Sequence, residues 1–343
     1  MLKNWKFWIG LLVSVAFLVW ALWGLDLNGF MNEVASGNYW WLIPSVLTYF
    51  VAVWVRTWRW DYMLRPLKHI PVRELFPVVV IGYMGNNIYP LRMGELLRSY
   101  VLWRREDVPV GASLGTVVVE RVFDGVIMLI FVFVGLPFLP FPGDYQFLVT
   151  VASIAFLGAL IVFFVMAAMP DRALALAKLV FGLALPAKAS EPLLSFTEKF
   201  LDGLKGLRDF KNVMMIFFTS LVIWLLETVK YWFVMQAFDF GDAVVPFFGL
   251  MLMNGVVNLA TTLPTAPGYV GTFDGPGIAV LVAYGVAQPV ATAYTLVLHI
   301  ALWLPITVLG GWYMVREGLS WSDMTQAADL RQSVANDPPN LEP

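Results

Sequence analysis

Apolar positions run along this chain in blocks of about membrane width, and polar positions fall between the blocks or, at a few places, inside them. Phe7–Leu25 and Phe147–Met169 are 19 and 23 residues without a charge. Each is long enough for a helix to cross a hydrocarbon core of about 30 Å. Tyr39–Val55, Val108–Phe138, Val213–Phe238 and Ala291–Val315 complete a set of six predicted spans. Leu75–Pro90 and Met93–Trp103 are too short to span, with 16 uncharged residues in the first arm and 11 residues, Glu95 and Arg98 among them, in the second. They predict a re-entrant hairpin. The stretch 243–287, broken at Pro264-Thr265-Ala266-Pro267-Gly268, predicts a second hairpin, re-entrant or fully spanning. In segment 193–207, Leu193, Phe196, Phe200, Leu204 and Leu207 recur at helical spacing opposite Glu198, Lys199, Asp202 and Lys205. That reads as an interfacial helix or a plain surface helix.

Composition agrees with this pattern. The 343 residues are 59% hydrophobic and 13% charged, with a mean hydropathy of +0.74, where soluble domains carry about 25% charge. An all-α polytopic membrane protein follows, with a membrane domain over 1–316 and a polar tail over 317–343 expected to be disordered. The first block lacks a small-residue cleavage site, so it reads as a retained signal anchor. There is no cysteine and there are two histidines. Disulfides and thiolate metal sites are excluded, and neither metal, cofactor nor nucleic-acid partner is expected.

Charge sets the orientation. Of 22 Lys and Arg, 18 fall in loops that alternate to one side, including Arg56 and Arg59 after the second span and seven cations in 170–212. Lys and Arg favour the cytoplasmic side. Both termini are therefore expected in the cytoplasm of a cell that keeps this protein in its inner or plasma membrane. The same rule places the first hairpin on the inside and the second on the outside. The two share a Pro-x-x-x-Gly break, PLRMG from Pro90 to Gly94 and PTAPG from Pro264 to Gly268. An Asn-bearing arm precedes each, with Asn86 and Asn87 in one and Asn254 and Asn258 in the other. Broken segments in opposite orientation form the inverted repeat of alternating-access transporters.

Nine ionisable residues fall inside the predicted segments: Arg92, Glu95, Arg98, Glu120, Arg121, Asp124, Glu227, Lys230 and Asp274. A central charge costs at least about 2.5–3.5 kcal/mol in a bilayer, so these must pair or face water. Arg92 and Arg98 each lie three residues from Glu95, Arg121 three from Asp124, and Glu227 three from Lys230. Glu227 and Lys230 read equally well as a structural ion pair. The hairpin cluster holds one more arginine than Glu95 needs, at a helix start. This suits a phosphate held by Arg92, Arg98 and Arg121, with Asn86 and Asn87 adding hydrogen bonds. Asp274, His299 and Glu120 are candidate proton or cation acceptors.

At these residues the chain stops being generic. YPLRMGELLR (89–98), VVVERVFD (117–124) and LPTAPGYVGTFD (263–274) together resemble the lysylphosphatidylglycerol synthase transmembrane-region family, over about residues 5–316. The resemblance implies a flippase-like polytopic domain that moves a lipid between leaflets. It carries Arg92, Gly94, Glu95 and Arg98 over from the first motif and Glu120, Arg121 and Asp124 from the second. Pro264, Pro267, Gly268, Gly271 and Asp274 come from the third. Bifunctional members append an aminoacyltransferase domain, whereas this chain ends about 27 residues after its last span. Lysyl transfer is not expected, although a separate lipid-modifying enzyme is an expected partner. The expected function is transport of an anionic lipid or lipid-linked precursor rather than catalysis. The alternatives are a membrane-embedded enzyme acting on a lipid-linked phosphate or sugar, with Glu95, Glu120 or Asp124 as base, and a lipid-binding accessory protein.

Overall fold

A computed structural model describes residues 22–89, 92–135, 169–184, 187–203, 210–263 and 266–318, with scattered positions within 12–20 and 147–166. Most of the first predicted span, the loop 139–146, most of the span 147–169, Pro90, Pro264, the end of the 193–207 segment and the tail from 319 lie outside the described residues. All regular structure in the described part is helical. In chain order it comprises α1 (Leu27–Ser36), α2 (Leu42–Leu64), α3 (Val72–Ile88), α4 (Met93–Glu106), α5 (Val110–Gly135), α6 (Pro170–Ala184), α7 (Ala187–Gly203), α8 (Phe210–Met235), α9 (Phe247–Ala260), α10 (Asp274–Ala283) and α11 (Gln288–Arg316).

α8 and α11 are each long and apolar enough to cross a membrane, and α1 with α2 forms a third such pair bent by 68°. The outer faces are those of a membrane protein. On α2, Leu47, Val51, Trp54 and Trp58 stand exposed at spacings of four, three and four residues, and Ile300, Leu304, Val308 and Trp312 form the same stripe on α11. An apolar stripe turned outward is stable where the surroundings are hydrocarbon.

α2 corrects the sequence reading. The apolar block ends at Val55, and Arg56 and Arg59 were expected in a cytoplasmic loop. Instead the helix continues to Leu64, and both arginines are buried within it. The buried face runs Tyr49, Ala52, Val53, Arg56, Trp60, Met63 and Leu64. That 3.6-residue period passes straight through the charges. Asp26 caps α1, accepting the Asn28 N–H at 3.1 Å.

α3 and α4 form the expected hairpin, antiparallel and in backbone contact. A Cβ added at Gly94 would lie 1.9 Å from the Gly82 carbonyl oxygen and 2.5 Å from the Asn86 nitrogen. One added at Gly85 would lie 2.8 Å from the Cα of Gly94. Small residues at a crossing allow helices to pack closely where burial of apolar surface gives no drive. α9 and α10 form the second hairpin around a 3₁₀ turn at Pro267–Tyr269, with Gly268 at φ 72° and Gly271 at φ 85°. Those two positions require glycine for conformational reasons.

α2 lies along α8, α5 along α9, and α11 along α3. Trp60, Leu64, Val80, Ile81 and Leu102 fill one core, and Tyr231, Met253, Val257, Leu281, Tyr294 and Leu298 fill another. The expected cytoplasmic segment 170–212 contains α6 and α7, and α7 packs against both α5 and α6, with Leu201 buried.

The glycine crossing yields a measurable expectation. Gly94→Ala should destabilise the purified protein by about 3 kcal/mol or more, because the obstructing atoms are backbone and cannot rotate away. Gly311→Ala, whose added Cβ would meet only the Met84 sulfur at 4.0 Å, should leave the thermal midpoint in detergent unchanged.

Candidate functional site

Four helices and one hairpin tip deliver charged side chains to a single buried network. α2 supplies Arg56 and Arg59, α4 Glu95 and Arg98, α5 Glu120, Arg121 and Asp124, α8 Glu227 and Lys230, and the tip Arg92. Arg59 is fully buried. Its Nη1 donates to Asp124 Oδ1 at 2.7 Å and to Ser220 Oγ at 2.5 Å, and its Nη2 lies 3.4 Å from Glu120 Oε1. Trp224 Nε1 donates to the same Asp124 oxygen at 3.0 Å, while Arg121 Nη2 lies 3.1 Å from Oδ2. Arg121 also pairs with Glu120 and approaches Glu95 at 3.7 Å. Arg56 binds Glu227 at 2.9 Å, lies 3.9 Å from Asp124, and sits over the Trp224 ring. Lys230 completes the pair with Glu227 and lies over the Tyr49 ring.

The predicted pairs are redistributed. Glu227–Lys230 and Arg121–Asp124 form as spaced, and Glu120 and Asp124 share a face by sharing Arg59. Arg92 approaches Glu95 at 3.7 Å. Arg98 turns away from Glu95. Its side chain is 6% exposed, with Nη2 on Glu120 Oε2 at 3.1 Å and the guanidinium over Trp60. Arg98 therefore ties α4 to α5 and does not line the cavity described next, contrary to the phosphate role expected for it.

That cavity has a volume of about 130 Å³. Arg56, Arg92, Arg121, Glu227 and Lys230 contribute charge to its wall, Asn86, Asn87, Asn258 and Thr261 contribute amides and a hydroxyl, and Tyr49, Tyr83, Trp224, Tyr231, Tyr269 and Trp303 contribute rings. Arg92 and Arg121, 24% and 26% exposed, are the more open cations of the network. Four atoms of wall residues are buried without a hydrogen-bond partner: Arg92 Nε, Arg121 Nε, the Tyr83 hydroxyl and Asn86 Oδ1. Buried polar atoms are rarely left so in a folded protein.

The two hairpin breaks meet at this wall. Arg92 and Tyr269 are both non-glycine residues in the left-handed region, at φ 54° and 61°. Strained backbone of this kind costs about 1–3 kcal/mol per residue and persists only where surrounding contacts hold it. Here the Arg92 guanidinium lies 5.8 Å from the Tyr269 ring centre, and its Nη2 reaches Thr261 Oγ1 at 3.5 Å. Asn87 fastens the first hairpin to α11 through Thr307 Oγ1 at 2.8 Å and the Trp303 carbonyl at 3.3 Å. Asp274 sits at the head of α10, accepts the Gly271 N–H at 2.8 Å, and meets His299. Pro267 opens the 3₁₀ turn.

Sequence reasoning missed Arg56 and Arg59, and with them the anchor of Asp124. It also missed the aromatic wall. The buried period along α2 was the available signal for the arginines; the rings of Tyr49, Tyr83, Trp224 and Tyr269 gave none, because aromatics are abundant everywhere in this chain. Among the described residues no three His, Cys, Asp or Glu side chains are gathered as a metal site, and the clustered carboxylates are met by arginine instead.

Comparison with known proteins adds three findings. The family profile described as "Lysylphosphatidylglycerol synthase TM region" matches residues 7–310. The UPF0104 membrane protein MJ1595 of Methanocaldococcus jannaschii is 23% identical over 90% of this chain and 94% of its own length, and a UPF0104 membrane protein of Methanothermobacter thermautotrophicus is 22% identical over 89% and 90%. The glycosyltransferase AglD of Haloferax volcanii is 25% identical over 79% of this chain, which spans about half (48%) of that protein. No solved structure matches significantly.

Breaking the network should be costly. Arg59→Met leaves Asp124 and Glu120 under-compensated and should cost about 3–5 kcal/mol. The double variant Arg59→Met/Asp124→Leu should recover part of that loss, measured as a thermal unfolding cycle in detergent.

Proposed function

We propose that this chain, which belongs to the lysylphosphatidylglycerol synthase transmembrane-region family, is a flippase that moves a phosphate-bearing anionic lipid between the leaflets of the cell membrane. One observation carries the reading. The buried network joins six cations (Arg56, Arg59, Arg92, Arg98, Arg121, Lys230) to four carboxylates (Glu95, Glu120, Asp124, Glu227). With every member ionised, two positive charges are left over, and the more open cations line the cavity. Uncompensated charge in a low-dielectric interior is expensive. A phosphomonoester offers up to two negative charges, a phosphodiester one, and either offers several acceptors to the Nε donors of Arg92 and Arg121, which lack hydrogen-bond partners; arginine matches its geometry.

The transport cycle we envisage uses the hairpins. At about 1.5 Å per residue, α3, α4, α9 and α10, of 17, 14, 14 and 10 residues, reach roughly 15–26 Å, less than the bilayer core of about 30 Å. In this reading they are re-entrant, enter from opposite faces as an inverted repeat among six spans, and meet at the headgroup site, with both termini cytoplasmic. Alternating movement of the hairpins would open the site to each leaflet in turn.

A second reading, that the lipid carries a sugar, is favoured by the aromatic wall and by the relative named as a glycosyltransferase. Rings beside amides suit the apolar faces and hydroxyls of a sugar.

Both readings are tested in phosphatidylcholine vesicles containing a trace of fluorescent phosphatidic acid, or of a fluorescent polyprenyl phosphate sugar. The wild-type protein should accelerate exchange of the probe between leaflets but leave a fluorescent phosphatidylcholine unmoved. Arg92→Ala should slow exchange by about 10- to 100-fold, the loss of one charge-assisted contact, and Arg92→Lys by less. Equal exchange by wild type and Arg92→Ala would remove the phosphate site.

A further inference from the structure

The second hairpin holds a pair of ionisable groups that the headgroup site does not use. His299 on α11 lies with Nε2 2.7 Å from the Gly268 carbonyl oxygen and Nδ1 2.8 Å from Asp274 Oδ1. A carbonyl oxygen only accepts, so Nε2 carries a hydrogen. At 2.8 Å a bare Nδ1 lone pair and a bare carboxylate oxygen would repel, so a hydrogen also lies between those two atoms, whichever of them owns it. The other carboxylate oxygen is occupied by the Gly271 N–H at 2.8 Å. Read as hydrogen bonds, the two imidazole contacts together call for one proton more than a carboxylate beside a neutral imidazole supplies.

We propose that Asp274 and His299 form a proton-binding site and that one proton is exchanged there in each transport cycle. The first half stands on the hydrogen-bond geometry alone; the second rests on the flippase reading above. Asp274 is 1% exposed, whereas the His299 side chain lines the cavity, with one ring face against Phe273 at 4.5 Å between centres. A proton thus has a polar approach through the headgroup site to the imidazole, and from there to the carboxylate.

The location gives the proton a mechanical effect. Gly268 and Asp274 bracket the break of the second hairpin, and His299 belongs to the long helix beside it. Both of its hydrogen bonds span that boundary. Loss of the proton turns the Asp274–His299 contact repulsive and frees the hairpin break from α11. Protonation and hairpin position are therefore linked, and each biases the other.

The charged groups that share the cavity wall with His299 are Arg92 from the first hairpin tip, Arg121 from α5, Arg56 from α2, and Glu227 and Lys230 from α8, together with the phenols of Tyr49, Tyr83, Tyr231 and Tyr269. α9 carries no charge. α1, with Asp26 and Glu33 nearby, packs on α11 at Pro289, ten residues before His299. A phosphate arriving at Arg92 and Arg121 reduces the positive potential felt by the imidazole and favours the protonated pair. Lipid and proton therefore bind cooperatively.

The chain has only two histidines, which makes the test direct. In the His69→Ala variant, ¹⁵N-labelled histidine gives one imidazole, followed by NMR in nanodiscs. The expected result is Nε2 protonated throughout and a titration that disappears or shifts strongly in Asp274→Asn, whose amide can donate to Nδ1 without holding an extra proton. An unprotonated Nε2, or the same titration in both proteins, overturns the site. In the vesicle assay, a gradient of one pH unit should shift the steady-state leaflet ratio of labelled phosphatidic acid by up to about tenfold for one proton per lipid, and Asp274→Asn should lose this response. Lipid moved equally with and without the gradient overturns the coupling alone. A protein that titrates as expected but moves no lipid overturns the flippase reading, and the coupling with it.

Discussion

Taking an ion out of water into a protein interior costs several kcal/mol even after relaxation, and this protein does so seven times in one connected network of ten ions. Asp124 is the joint. Arg59 and Trp224 bind one of its oxygens, and Arg121 binds the other, with Arg56 at 3.9 Å. Helices α2, α5 and α8 are thus fixed to one another by a single carboxylate. Trp224 on α8 completes its shell and Ser220 on the same helix accepts from Arg59, so the rotation of α8 about its own axis is set by the same cluster. Lipid-facing leucines and valines cannot do this, since hydrocarbon is equally available to them in any orientation. The ion network supplies the specificity that the apolar surface lacks.

The network grades from structural to functional along its length. Arg59 and Arg98 are sealed and matched by carboxylates, and their positions are those of glue. Arg92 and Arg121 stand at its edge, about a quarter exposed and on the cavity wall, although the Nε of each of these four arginines lacks a hydrogen-bond partner. The edge is also where the backbone is strained, at Arg92 and Tyr269. Rigid support behind, open cations in front and left-handed backbone at the contact point suit the headgroup site proposed above.

Much of this was legible in the sequence, and the failures are instructive. Block lengths gave the long apolar helices α8 and α11 and the two pairs of short arms, because hydrocarbon thickness fixes a helix length independent of tertiary detail. Spacing gave Glu227–Lys230 and Arg121–Asp124, because i,i+3 neighbours share a helix face. The pairings of Arg98 with Glu120 and of Arg59 with Asp124 span 22 and 65 residues, and no local rule reaches that far. Arg56 and Arg59 show a different failure. Counting cations as markers of the cytoplasmic side assumes that they lie in loops, and it has no means of recognising arginines whose charge is cancelled by carboxylates on other helices. Likewise the glycine of PLRMG reads as a turn residue, whereas its role in the fold is to let two backbones touch.

That contact sets how the first hairpin can move. Arms that touch backbone to backbone at Gly82, Gly85 and Gly94, with only the Leu97 and Arg98 side chains alongside, behave as one stiff lever with Arg92 at its tip. A displacement of the tip cannot be absorbed along the arms and must emerge at the base. There the hairpin is held by pairs of another kind, with partly exposed side chains: Lys68 with Glu106 at 2.9 Å, and Arg105 with Glu317 at 3.5 Å. Such pairs are worth little and are screened by salt. In the re-entrant arrangement proposed above, the lever is clamped in the oily interior and loosely tethered where it meets the aqueous phase, so ionic strength outside the membrane would reach the arginine inside it without touching the site itself.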